Sequence, residues 1–224
     1  MIVAVSGMIS SGKSTLVKQL AQKCGVNNLI LDEYDAKDFV FENLLNWFLQ
    51  HKPNVGLSFD IYVIDSHVER VHQIRKKMVK NNLENSFIFL DRFPLEHCIF
   101  AFVDFGYMQD KKYLQVYKAG LNELITPESL PDFVIYLDMD FETFKKRLFK
   151  RNRPAEVNNW SKNITYWEKL HSIYKKEFIK MCEEFNVQYQ IIDTNGKSEE
   201  DVFLQAQKII NDVKNQRGKN ENSN

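Results

Sequence analysis

The chain has 224 residues, 44% of them hydrophobic and 27% charged, an ordinary globular composition that excludes wholesale disorder. Its 30 Lys and Arg balance 30 Asp and Glu, so it lacks the cationic excess of a protein that lives on nucleic acid or an anionic membrane. No apolar run reaches the roughly 18 residues of a transmembrane helix, and the opening stretch MIVAVSGMIS lacks the basic start of a signal peptide.

Ile2–Val5 is a short β-branched run followed by Ser6-Gly7, which predicts a buried strand. A helix over Ser14–Lys23 follows, ending at Gly25, and then a strand over Leu29–Leu31 that stops at Asp32-Glu33. Phe39–Gln50 reads as a helix, and Lys52–Ser58, with Pro53 and Gly56, as a loop. Asp60–Lys80 is a long helix with Ile61, Ile64, Val68, Val71 and Met78 as its apolar stripe. The remaining elements are a strand over Phe87–Leu90, a helix over Tyr107–Ile125, a strand over Phe133–Leu137 and a helix over Phe141–Lys150. They are followed by a helix over Tyr166–Phe185, a strand over Tyr189–Ile192 and a helix near Glu199–Lys214. Residues 215–224 are polar and aperiodic and read as a disordered tail after one domain spanning 1–214. Strands alternating with helices predict an α/β fold, a five-stranded parallel sheet with helices on both faces. Cys24, Cys98 and Cys182 are far apart and odd in number, which reads as reduced thiols in a cytoplasmic protein.

In such sheets ligands gather at the carboxyl ends of the strands. After the first strand stands Gly7-Met8-Ile9-Ser10-Ser11-Gly12-Lys13-Ser14-Thr15, which matches G-x4-G-K-[ST] between a predicted strand and a predicted helix. Glycines let this loop curl so that its N–H groups converge on phosphate oxygens, and the helix N-terminus adds its positive end. Lys13 is expected at the β/γ-phosphates and the Ser14 hydroxyl on Mg²⁺. Asp91, delivered by an apolar strand, is the second candidate for holding Mg²⁺, and Arg92 beside it for a phosphate or the substrate. Glu33 lies 20 residues after Lys13 and is placed to accept a proton from an attacking hydroxyl, with Asp32 as its competitor. Arg147, Arg151 and Arg153 belong to a basic run that reads as a lid over a transferring phosphate, spanning about residues 147–160. Asp60 and His67, off the apolar stripe of the long helix, and His97 are candidates for lining a polar pocket.

Together these pieces resemble the deoxyribonucleoside kinase family, a P-loop NTPase-type three-layer fold. The resemblance covers most of residues 1–214. It rests on the phosphate loop, Glu33, Asp91-Arg92, the Arg147…Arg151-Asn152-Arg153 run and Tyr166-Trp167-Glu168-Lys169-Leu170-His171. It implies transfer of the γ-phosphate of a nucleoside triphosphate to the 5′-hydroxyl of a nucleoside. Glu33 would be the base, Asp91 the magnesium-linked acid and Arg92 the group beside the 5′-oxygen, with Arg147, Arg151 and Arg153 clamping phosphates. It also implies a homodimer. The chain departs from the family pattern at Tyr34, where a proline is usual, and at Phe93, where Ser or Thr is usual. The family's base-binding Gln, Arg and Asp correspond to Asp60, His67 and His97, and its acid near the sugar 3′-hydroxyl to Thr165. An ionised Asp60 only accepts hydrogen bonds, which suits guanine's adjacent donors. The expected substrate is therefore a purine deoxynucleoside, deoxyguanosine ahead of deoxyadenosine, in nucleotide salvage. A thymidylate or other nucleoside monophosphate kinase, and a catalytically weak nucleotide-binding regulator, are the alternatives.

Overall fold

The computed structural model describes residues 1–35, 37–83, 86–107 and 111–221. Five strands form one all-parallel sheet: β1 (Ile2–Gly7), β2 (Leu29–Leu31), β3 (Ile88–Asp91), β4 (Phe133–Asp138) and β5 (Tyr189–Asp193), in the order β2-β3-β1-β4-β5. The register sets Val5 beside Asp91 and Gly7 beside Leu137. β1 is central, and the chain leaves it first toward β3 and β2 and later toward β4 and β5. The crevice at its carboxyl end is therefore the topological switch point where such sheets bind ligands.

Every residue of β1 is buried, because helices cover both faces of the sheet. Val3 and Val5 pack with Leu16, Val17 and Leu20 of α1 (Lys13–Lys23) and with Phe203, Ala206 and Ile210 of α9 (Glu199–Glu221). Ile2 and Ala4 face the opposite way. They join the larger core with Ile64, Val68 and Val71 of α3 (Gly56–Lys80) and with Leu170, Tyr174 and Phe178 of α8 (Trp160–Glu184). The remaining helices are α2 (Phe39–Leu49), α4 (Cys98–Tyr107), α5 (Lys111–Leu124), α6 (Phe141–Arg151) and α7 (Pro154–Val157). No helix among the described residues is long and apolar enough to cross a membrane.

The strands lie where the sequence places them to within one or two residues; several helices do not. The helix expected over Tyr107–Ile125 is α5, with residues 108–110 outside the described residues, and α4 stands before it where no helix was expected. α4 escapes periodicity because CIFAFVDFGY is apolar almost throughout, with Cys98, Ile99, Ala101, Val103 and Phe105 all buried. α8 begins six residues before the expected Tyr166, since Asn163 donates to the carbonyls of Leu49 at 3.0 Å and Asn159 at 2.9 Å and so is satisfied within a buried helix. α3 starts at Gly56 within the expected loop. Residues 215–221 continue α9 instead of forming a disordered tail, and 222–224 lie outside the described residues.

Candidate active site

The loop between β1 and α1 is shaped by its glycines. Gly7 has φ +137°, and a Cβ there would meet the Leu137 carbonyl oxygen at 2.5 Å; Gly12, with φ +100°, caps α1 in a left-handed conformation. Ser11 N–H closes the turn on the Met8 carbonyl at 3.2 Å. Lys13 is buried and donates to the Met8 carbonyl at 3.0 Å. Burial, then the nearby Arg92 charge, lowers its pKa to about 8.

Asp91, at the end of β3, accepts a hydrogen bond from the Ser14 hydroxyl, while its Oδ1 is buried without a partner among the described residues. Burial pushes its carboxyl above the usual range, against the pull of Lys13. A buried carboxylate with one open oxygen beside a hydroxyl fits a divalent cation. The described residues contain no cluster of three or more His, Cys, Asp or Glu suited to hold a metal alone. Mg²⁺ is typically held by one or two carboxylates, water and substrate phosphates, and Asp91 with Ser14 is a ligand set of that kind.

Arg92 is almost fully enclosed, 1% exposed and at φ +67°. That backbone costs on the order of 1–3 kcal/mol, and a dense set of bonds holds it. Nε donates to Glu33 at 2.7 Å, and Nη1 donates to Glu96 at 2.7 Å, to the Gly7 carbonyl at 2.8 Å and to the Tyr174 hydroxyl. Glu96, fully buried, also accepts from Gly7 N–H at 3.1 Å and from Tyr174 at 2.5 Å, which ties the phosphate loop to Arg92. Burial alone would raise the pKa of Glu33, but the charges of Arg92 and Lys13 outweigh it and bring it to about 2. Arg70 of α3 donates to the backbone carbonyls of Asp32 at 2.9 Å and Glu33 at 2.5 Å and fixes the turn that carries Glu33.

These groups open onto a cavity of about 690 Å³, within the range of small-molecule sites. Of the residues singled out in the sequence, Ile9, Ser10, Ser11, Gly12, Lys13, Ser14, Thr15, Glu33, Asp60, Arg92, His97, Arg147, Arg151 and Arg153 line it. Gly7, Met8, Asp91 and His67 are buried behind its wall. One end is the phosphate loop; the other is apolar, with Phe41, Phe48, Phe59, Phe100, Tyr166 and Trp167.

Asp60 and His67 do not lie off the core face of α3; both are buried there with Ile64, Val68 and Val71. Asp60 faces the cavity with Oδ2 unpartnered among the described residues, and burial, then Asp104, raises its pKa well above the carboxylate range. The ionised form expected from the sequence is thus disfavoured in the free protein. His67 is fully enclosed and bonded to His97.

The basic run is already partnered. Arg147 donates to the Thr194 hydroxyl at 2.9 Å, to the Thr194 carbonyl at 2.8 Å and to the Ser11 carbonyl at 3.3 Å. Arg151 pairs with buried Glu156. Arg153 pairs with Glu42 at 2.5 Å, and its guanidinium stands 5.0 Å from the ring of Tyr34 and 5.7 Å from that of Phe41. Glu96, Tyr174 and Arg70 escaped sequence reading. Tyr174 sits in the apolar stripe of α8, and Glu96 shows itself only as an acid four residues after Arg92.

The family sequence model described as deoxynucleoside kinase matches residues 3–217. The chain belongs to the deoxynucleoside kinase family. It is a phosphotransferase on the P-loop α/β fold of that family. An uncharacterised protein of Mycoplasma genitalium is 28% identical, covering 85% of this kinase and 82% of the relative. The deoxyguanosine kinase of Bacillus subtilis is 26% identical, covering 90% and 89%. Among solved structures, the deoxyadenosine kinase from M. mycoides with the products dCMP and a flexible dCDP superposes with TM-score 0.73 at 25% identity, covering 96% of this kinase and 100% of that chain.

Proposed function

We propose that the kinase transfers the γ-phosphate of ATP or another nucleoside triphosphate to the 5′-hydroxyl of a purine deoxynucleoside, deoxyguanosine foremost, in nucleotide salvage. The observation that carries this reading is the placement of Glu33 and Arg92 where the phosphate loop meets the aromatic half of one cavity. A nucleoside lying among Phe41, Phe100 and Tyr166 brings its 5′-hydroxyl to that junction.

In this reading the loop amides and Lys13 hold the donor phosphates. Glu33 accepts the hydroxyl proton, and Arg92 faces the charge that develops on the transferring group. Ser14 and Asp91 would hold Mg²⁺, which supplies neutralisation of phosphate charge. Arg147 and Arg151 stand on the donor side as lid residues, and Arg153, on Tyr34, on the acceptor side. The arginines of the acceptor side are spent, Arg92 on Glu33 and Glu96 and Arg153 on Glu42.

Asp60 is the polar group best placed for the base. As the protonated acid it donates and accepts, so it can pair with N1–H and O6 of guanine or with N1 and the amine of adenine. Ionised, it pairs with guanine's two donors only. A screen with radiolabelled ATP against the four deoxynucleosides and their monophosphates tests the proposal. Deoxyguanosine is expected to give the highest kcat/KM; a monophosphate as the preferred acceptor would refute it.

A further inference from the structure

His67 and His97 form a pair that phosphoryl transfer leaves unexplained. His67 lies fully buried behind the cavity wall, while His97 lines the cavity. His67 Nδ1 and His97 Nε2 are 2.9 Å apart. At that separation one nitrogen donates and the other accepts, so the tautomers of the two rings are locked together. Burial dominates both rings, holding His67 well below the ordinary imidazole range and His97 at about 3, so the pair is neutral.

Only two arrangements exist. If His97 donates, His67 carries its own proton on Nε2, an atom buried without a partner among the described residues. That strands a donor with its full desolvation penalty. If His67 donates, its Nε2 keeps a lone pair instead. Arg70 and Arg92, the positive side chains acting on His67, favour a lone pair over an N–H there. The same arrangement puts the His97 proton on Nδ1. Glu33 favours a proton on that ring and Arg92, Arg70 and Lys13 oppose it, so the choice between the two arrangements rests on the stranded Nε2 of His67. The bond to His67 is the one hydrogen bond of the His97 ring among the described residues, which leaves Nδ1 for a ligand.

We infer that His67 is a positioning residue: by donating Nδ1–H to His97 Nε2 it fixes His97 as the Nδ1–H tautomer, which presents a hydrogen-bond donor to the nucleobase. This rests on the reading of the cavity as a nucleoside site. The base edge it selects is one that offers an acceptor where the two purines differ, as guanine does with O6. The amine of adenine meets the same donor as a mismatch, donor against donor. In the opposite tautomer His97 would accept from that amine, and the preference would reverse.

The tautomer is measured directly by ¹⁵N NMR of the imidazoles in the ligand-free wild-type protein, with His97 identified by its loss in His97→Gln. The expected spectrum shows His97 protonated on Nδ1 and bare on Nε2. A protonated Nε2 on His97 overturns the inference whatever the substrate proves to be. Selectivity is the second readout. His67→Asn keeps an N–H close to the place of Nδ1, whereas His67→Leu removes it. The ratio of kcat/KM for deoxyguanosine over deoxyadenosine should hold in the first and fall about tenfold or more in the second. A general loss of packing acts on both substrates alike, so an unchanged ratio in a folded His67→Leu overturns the inference. If the wild type phosphorylates no deoxynucleoside, the nucleoside reading fails instead, and the tautomer measurement still decides the role of His67.

Discussion

Arg92 donates Nε–H to Glu33 Oε1 at 2.7 Å across 59 residues of sequence. The pair joins the end of β3 to the turn after β2, and it sets the chemistry available to each partner. While Arg92 holds it, Glu33 is ionised and a weak base. In the proposed reaction, negative charge developing on the transferring group would weaken the hold of Arg92 on Glu33 and make Glu33 a better proton acceptor.

Glu33→Gln keeps the shape and the hydrogen bond from Arg92 but removes the basic site. kcat should fall by about 10²–10⁴ with little change in ATP affinity. The competing carboxylate, Asp32, is exposed, and Arg70 is bound to its backbone carbonyl. Steady-state kinetics of Glu33→Gln and Asp32→Asn therefore decide the assignment. A large loss in Asp32→Asn with a near-normal Glu33→Gln would mean the base is misplaced.

The Lys13 pKa of about 8 gives ATP binding a pH dependence. The phosphates need the protonated amine, and free Lys13 loses its proton as pH rises through that value. Above it, binding must take up a proton, so the ATP Kd should rise by up to about tenfold per pH unit between roughly pH 8 and 9.5. Below about pH 7.5 Lys13 should contribute no slope. Titration calorimetry without acceptor checks this. Lys13→Met should bind ATP weakly and lose that alkaline slope; a wild-type Kd that stays flat through pH 9.5 would contradict the value.

Arg153 reads in the sequence as one of three phosphate clamps, but here its guanidinium lies over Tyr34, which stacks on Phe41 at 4.2 Å. Arg153→Ala should therefore raise the nucleoside KM more than it lowers kcat, while Arg151→Ala should act chiefly on kcat. Cation–π and partly exposed ion-pair contacts of this kind contribute roughly 1–2 kcal/mol together, or about a tenfold KM change. Equal kcat losses with unchanged nucleoside KM in both variants would restore Arg153 to a phosphate role.

The parts of this site that were legible in sequence are those made by local chain. The phosphate loop is contiguous, and Glu33 and Asp91 each follow a short apolar run that ends in an acid. What was hidden is made by tertiary contact. Tyr174 occupies an apolar position of α8 and looks like core until Arg92 and Glu96 are seen against its hydroxyl. His67 lies on the same face of α3 as Val71 and Ile74, so spacing alone could not separate a ligand from a buried partner of His97. α4 was invisible because a segment apolar almost throughout has no clear period.

If Asp60 reads the base as proposed, base choice is expected to depend on pH. Its carboxyl is raised well above the usual carboxylate range, first by burial and then by Asp104, whose own pKa is raised by burial to about 6. At low pH Asp60 is protonated and its O–H can donate to adenine N1, while its carbonyl accepts from the amine. As pH rises through its raised pKa that donor disappears, and a carboxylate facing adenine N1 sets two acceptors against each other. Guanine keeps a partner throughout, through N1–H and O6 to the acid and through N1–H and the amine to the carboxylate. The ratio of kcat/KM for deoxyguanosine over deoxyadenosine should therefore climb with pH, and the rise should come from deoxyadenosine losing activity. Asp60→Asn, which donates and accepts at every pH, should flatten the ratio near its low-pH value. Measuring both substrates from about pH 5.5 to 9 in wild type and variant separates this from the Lys13 effect, which acts on ATP and moves both substrates together. A ratio that climbs in wild type and still climbs in Asp60→Asn would remove Asp60 from base recognition.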